Sequence, residues 1–105
     1  MEQKNFDNIA EQLLLELANK IESQDHEYQI DVDYSNEVLT LDIDDNIFVV
    51  NKQSPAREIW LASPVSGPYH FKEEKGQWID KDNNNLHNIL SRELSNLINK
   101  SIILK

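Results

Sequence analysis

The chain has 105 residues, two glycines, no cysteine and a formal charge of −9 at neutral pH. That length supports one domain over residues 1–105, since division would leave two cores each too small to hold. The missing cysteines exclude disulfides, thiolate zinc sites, cysteine nucleophiles and an iron–sulfur cluster held by the chain's own thiolates.

The first element is helical. Phe6, Ile9, Ala10, Leu13, Leu17 and Ile21 follow the three-and-four spacing of one buried stripe over roughly residues 6–22. Asn5 stands where an N-cap belongs, and Asp7 would face the positive end of the helix dipole. Leu14 and Leu15 fall off the stripe. The period then becomes two. Tyr28, Ile30, Val32 and Tyr34 alternate with Gln29, Asp31 and Asp33 as a half-buried strand.

After the turn at 35–37, Leu39, Leu41 and Ile43 alternate with Thr40, Asp42 and Asp44. Further strands are expected over Ile47–Asn51, Arg57–Ser63, Pro68–Lys72 and Gln77–Ile79, separated by Pro, Gly, Ser and Asp turn residues. Past "DKDNNN" the helical period returns with Leu86, Ile89, Leu90, Leu94, Leu97 and Ile98, and the asparagines supply an N-cap. The tail "SIILK" is apolar and is expected to pack back on the domain. The order helix, six short antiparallel strands, helix predicts an α+β two-layer sandwich, with both helices on one face of a single sheet. The other face then meets water.

Strand parity fixes what that open face carries. In "REIWLAS", Ile59 and Leu61 point to the helices, so Trp60 points away. The same parity brings Asn51 and Gln53 from the preceding strand and His70 from the following one onto the open face. An aromatic ring among amides and a histidine has the composition of an interface centre. Trp78, in "GQWID", is the tryptophan expected in the core.

Charge is unevenly placed. Residues 1–45 hold 13 acids against Lys4 and Lys20, and residues 46–105 hold 6 acids against 8 lysines and arginines. The acidic half argues against nucleic acid, whose phosphates it repels, and favours cationic partners or metal ions. Glu22 and Asp25 lie three apart at the end of the first helix. Glu27, Asp31 and Asp33 share outward parity on the first strand, and Glu11 lies two to three turns back along the helix, with Asp7 a turn before it. Asp42 and Asp44 extend the field. Carboxylates are hard ligands suited to Fe²⁺, Mn²⁺, Mg²⁺ and Ca²⁺, and an open ridge binds them weakly. His26 is the softer donor nearby, on a turn where an exposed histidine is the ordinary expectation.

No apolar run approaches the roughly 18 residues of a membrane span. "MEQKNFDNIAEQ" is neither a signal nor a transit peptide, so a soluble cytoplasmic protein is expected. No catalytic constellation is visible: no G-x-S-x-G, no H-x-x-x-H and no glycine-rich phosphate loop. A binding and regulatory module is expected, not an enzyme.

The stretch "NKQSPAREIWLASPVSGPYHF", residues 51–71, resembles the signature of the frataxin family, and the order of elements is similar across essentially the whole chain. The lack of a transit peptide and the short tail resemble the bacterial members. The resemblance implies weak iron binding (Fe²⁺/Fe³⁺) on an acidic ridge, here Glu11, Glu22, Asp25, Glu27, Asp31 and Asp33. It implies docking on a cysteine desulfurase and an iron–sulfur scaffold protein, with Asn51, Gln53, Trp60 and His70 on the docking face. The expected state is a monomer, with iron-dependent oligomers as a possible second state. Ala18, Asn19, Lys20 and Ser23 stand where family members often carry acids, which bears on iron stoichiometry and affinity. The alternative function is iron storage or detoxification, with ferroxidase activity and metal-driven oligomerisation. A third is an acidic interaction domain without a metal role.

Overall fold

The computed structural model describes residues 2–105. The elements are α1 (Gln3–Gln24), β1 (Asp31–Ser35), β2 (Val38–Ile43), β3 (Asn46–Gln53), β4 (Glu58–Ser63), β5 (Gly67–Glu74), β6 (Gln77–Ile79) and α2 (Leu86–Ile98). The six strands form one antiparallel meander in sequence order. Leu39, Leu41, Ile43, Phe48, Val50, Ile59, Leu61, Phe71 and Trp78 form its apolar floor. They share one core with the buried stripes of α1 and α2. Trp78 is buried and meets the Phe6 ring edge-on, with centroids 6.1 Å apart at 70°. The two-layer α+β arrangement expected from the alternating periods is the one found.

Helix α1 begins earlier than the capping residues suggested. Its N-cap is Glu2, whose side chain makes no capping bond, and not Asn5. Gln3 and Lys4 are good helix formers, so the helix extends backwards over them. Asp7 is thereby moved into the helix and bonds sideways, accepting a hydrogen bond from the Ser54 hydroxyl at 2.6 Å. The buried stripe is also wider and slightly rotated: Leu14 and Ala18 are buried, while Ile9 is 41% exposed.

β1 is shorter than its alternation implied. Tyr28 is not part of the strand; it sits at φ 54° and is 91% exposed. Asp25 explains the difference. This residue ends α1, and its carboxylate accepts the backbone N–H groups of Gln29 at 2.9 Å and Ile30 at 2.7 Å. The chain is pulled into a tight loop there before the strand starts.

α2 is capped by the Asn85 side chain, which accepts from Asn88 N–H. The tail packs back as expected: Ile102 and Leu104 are buried. Ser91 and Ser95 of α2 accept the N–H groups of Leu104 and Ile102, and Gln24 of α1 exchanges hydrogen bonds with Ile103.

The β2–β3 turn places two non-glycine residues, Asp44 (φ 50°) and Asp45 (φ 69°), in the left-handed region. Two-residue hairpins with positive φ at both positions favour Asn-Gly or Asp-Gly, because a Cβ costs about 1 kcal/mol there. Asp45→Gly is therefore expected to raise stability by about 1 kcal/mol. The gain should appear as a higher urea midpoint at unchanged slope.

Candidate functional site

The open face of the sheet is organised as rows across the strands. Cα pairing aligns Asn51 with Trp60 and Trp60 with His70, and it sets Gln53 opposite Glu58. The four residues expected on this face are thus brought together. The Trp60 indole and His70 imidazole stack with centroids 4.0 Å apart and planes within 8°. The indole N–H donates to Glu58 Oε1 at 2.9 Å, and the same oxygen lies 4.0 Å from His70 Nδ1. Glu58 was missed as a site residue, although its parity with Trp60 was visible. The carboxylate fixes the indole in its plane, leaving a half-buried aromatic centre beside polar groups. Such a surface is suited to burial against a protein.

The six carboxylates expected on the acidic ridge have separate fates. Glu22, Asp31 and Asp33 are exposed. Asp31 stands directly across from Asp42, a like-charge pair, and Asp33 accepts from the Ser35 hydroxyl at 2.9 Å. Glu27 lies in the turn after α1, not on a strand, and pairs with Lys100 at 2.6 Å. Asp25 is a correction: it is 5% exposed, and both of its oxygens are taken by backbone N–H groups. It is a buried helix cap and is not part of the surface ridge.

Glu11 is also committed. Its Oε2 accepts from Lys52 Nζ at 2.6 Å, and the same ammonium lies 3.0 Å from Glu37 and 3.6 Å from Asp7. Burial alone would lower the Lys52 pKa, but hydrogen bonds to Glu11 and Glu37 and the Asp7 charge outweigh it and push it well above the usual lysine range. Burial and the Glu11 and Glu37 charges likewise raise the Tyr34 phenol. Among the described residues, no three His, Asp or Glu side chains converge into a metal-holding cluster. The exposed carboxylates Glu22, Asp31 and Asp33 thus form no closed cage. His26 is exposed on its turn.

Two further polar groups bear on the surface: Glu93, which went unnoticed in the sequence, and His87, expected there only as a flank residue of the second helix. Glu93 of α2 is buried and accepts the hydroxyls of Ser63 and Ser66, tying α2 to the β4–β5 turn. His87 lines a cleft of about 580 Å³ between α1, α2 and β6, with Glu16, Trp78 and Leu104. Burial, then the Lys20 ammonium, lower its imidazole pKa against the opposing pull of Glu16. A folded pKa below the unfolded value of about 6.5 means a contribution present above that pH and lost as pH falls through the folded value. Between pH 7 and 5 the wild type should lose more stability than His87→Gln, as thermal melts at each pH would record.

The frataxin-like domain family model matches residues 1–100. The chain belongs to the frataxin family. It is 39% identical over 109 residues to mitochondrial frataxin of Arabidopsis thaliana, covering 97% of this chain and 58% of that protein's length. Frataxin from Psychromonas ingrahamii, of the CyaY protein family, superposes with a TM-score of 0.78 at 25% identity, over 100% of this chain and 99% of that one. Trimeric frataxin from the yeast Saccharomyces cerevisiae, complexed with ferrous iron, also gives 0.78, at 36% identity over 95% and 88%. Among the described residues, no helix is long and apolar enough to cross a membrane.

Proposed function

We propose that this chain is an iron-responsive regulator of iron–sulfur cluster assembly that docks on a cysteine desulfurase–scaffold complex. The observation that carries the reading is the Asn51–Trp60–His70 row, a stacked aromatic centre on a sheet face with no helix over it. Acids steer a basic partner at long range, and the row supplies short-range burial. Glu22, Asp31 and Asp33 are the carboxylates best disposed to meet a cation, and Glu27 joins them once Lys100 is displaced. Glu11 and Asp25 are withdrawn from that role by Lys52 and by the two backbone N–H groups.

The proposal includes a cytoplasmic monomer as the resting state and no enzymatic activity of its own. Titration of the desulfurase–scaffold complex tests it, with and without Fe²⁺. Trp60→Ala should weaken binding at every salt concentration. Asp31→Lys with Asp33→Lys should weaken it chiefly at low salt, where charge steering acts over about 10 Å or more. Absence of binding by the wild-type chain would sink the reading.

A second reading, iron storage or detoxification with ferroxidase activity, is favoured by one observation: the related yeast protein is trimeric and complexed with ferrous iron. It would gain if iron uptake proceeded without any partner and scaled with oligomer size in sedimentation.

A further inference from the structure

The end of β3 is an overhang. Its last pair with β2 is Asn51 with Val38; beyond that, Lys52 and Gln53 pair only with Ile59 and Glu58 of β4. On the other side β2 has already turned away through Asn36 and Glu37, both at positive φ. One edge of this segment therefore lacks a ladder, yet it carries Gln53 of the proposed docking face, with Asn51 at its root. A segment held on one side by hydrogen bonds opens locally at low cost unless something else fixes it.

Lys52 is that fixing group. By strand parity its side chain lies opposite those of Asn51 and Gln53 and turns toward the helix layer, where it is only 13% exposed. Its ammonium reaches Glu11 and Asp7 on α1 and Glu37 on the turn that β2 uses to leave. Ser54, two residues on, is bound to Asp7 as well. One lysine thus closes the missing edge, tying overhang, departing turn and first helix together. Surface ion pairs contribute little, but here the lysine side chain is largely covered and its ammonium contacts three partly exposed carboxylates at once, a geometry that holds position.

We propose that Lys52, seated among Asp7, Glu11 and Glu37, is the positioning residue that holds Gln53, and the end of the Asn51 row beside it, in place for docking. The inference rests on the docking reading above, because it assigns those two residues a partner. It also gives Glu11 and Asp7 a task other than metal ligation.

Hydrogen exchange on the intact chain tests the positioning without a partner. In Lys52→Met, which keeps the stem and deletes the charge, the amides of the Lys52–Ser54 segment that bond to β4 should exchange about tenfold faster or more, beyond any change in the β4 and β5 core amides. Lys52→Arg should restore most of the protection. Glu37→Gln, which leaves the lysine in place, should give a smaller change in the same direction and keeps the test open if Lys52→Met does not fold. Binding to the desulfurase–scaffold complex should weaken in parallel, mainly through faster dissociation. Uniform acceleration over all six strands, or unchanged exchange at Lys52–Ser54 in both variants, overturns the proposal. Failure of the wild-type chain to bind that complex overturns the docking reading instead, while the exchange result still decides whether Lys52 holds the overhang.

Discussion

Trp78→Ala is expected to cost about 3–5 kcal/mol, the range for removing a fully buried aromatic and leaving a cavity. The ring is 3% exposed and packs edge-on against Phe6, so its loss opens the junction between β6 and the start of α1. A domain with about 5–15 kcal/mol in hand would then stand near the limit of folding. Trp60→Ala is expected to behave differently. Trp60 is half-buried, stacked on His70 and bonded to Glu58, so removing it should cost about 1 kcal/mol while removing the centre of the open face. Urea titrations of the two variants side by side measure the contrast. Equal losses of stability would mean that Trp60 is a structural residue and would take away the argument for a docking centre.

The second large effect concerns Asp25. Its carboxylate receives two backbone N–H groups in a buried loop, and Asp25→Ala leaves both without a partner. Charge-assisted bonds of this kind and the exposed donors together predict a loss of about 2–4 kcal/mol. Asp25→Asn, which retains one acceptor oxygen, should lose roughly half as much on the same grounds. Cation binding should change little in either variant once folded, measured by calorimetric titration with Mn²⁺ in place of air-sensitive Fe²⁺. Should Asp25→Asn remain fully stable yet lose cation binding, the cap assignment is wrong and the residue returns to the ridge.

These two residues also show what the sequence could and could not disclose. Trp60 and His70 were found because a side chain on a strand has only two directions. Once Ile59, Leu61 and Phe71 were given to the core, their neighbours had to lie outside. The architecture was legible for a related reason, since each period of apolar residues demands a covered face. Asp25 was not legible because its role depends on the chain folding forward onto it, and spacing alone does not distinguish a cap from an exposed acid. One signal was present: an acid at a helix C-terminus opposes the dipole and calls for some other bond.

Tyr28 misled for the same reason, continuing an alternation that the Asp25 loop interrupts. Lys52 offered a clearer clue. A lysine at core-facing parity needs a partner, and three acids within reach were available on α1 and the β1–β2 turn. Against burial, its bonds to Glu11 and Glu37 raise its pKa in the fold, so, while those carboxylates stay ionised, the stabilisation it supplies is present below the unfolded lysine value of about 10.4 and is lost as pH rises through the folded one.

The meander leaves β1 and β6 as the two outer strands of the sheet. An outer strand offers unpaired backbone groups to any other strand it meets, and short length and charge are what discourage such pairing. β6 has only three residues, while β1 has five, with Asp31 and Asp33 exposed along it. The same carboxylates that are proposed to meet a cation therefore also oppose the addition of copies of the chain strand to strand. A bound cation that neutralises them would lift that repulsion, so assembly driven by metal and aggregation at low pH would share one physical origin at this edge.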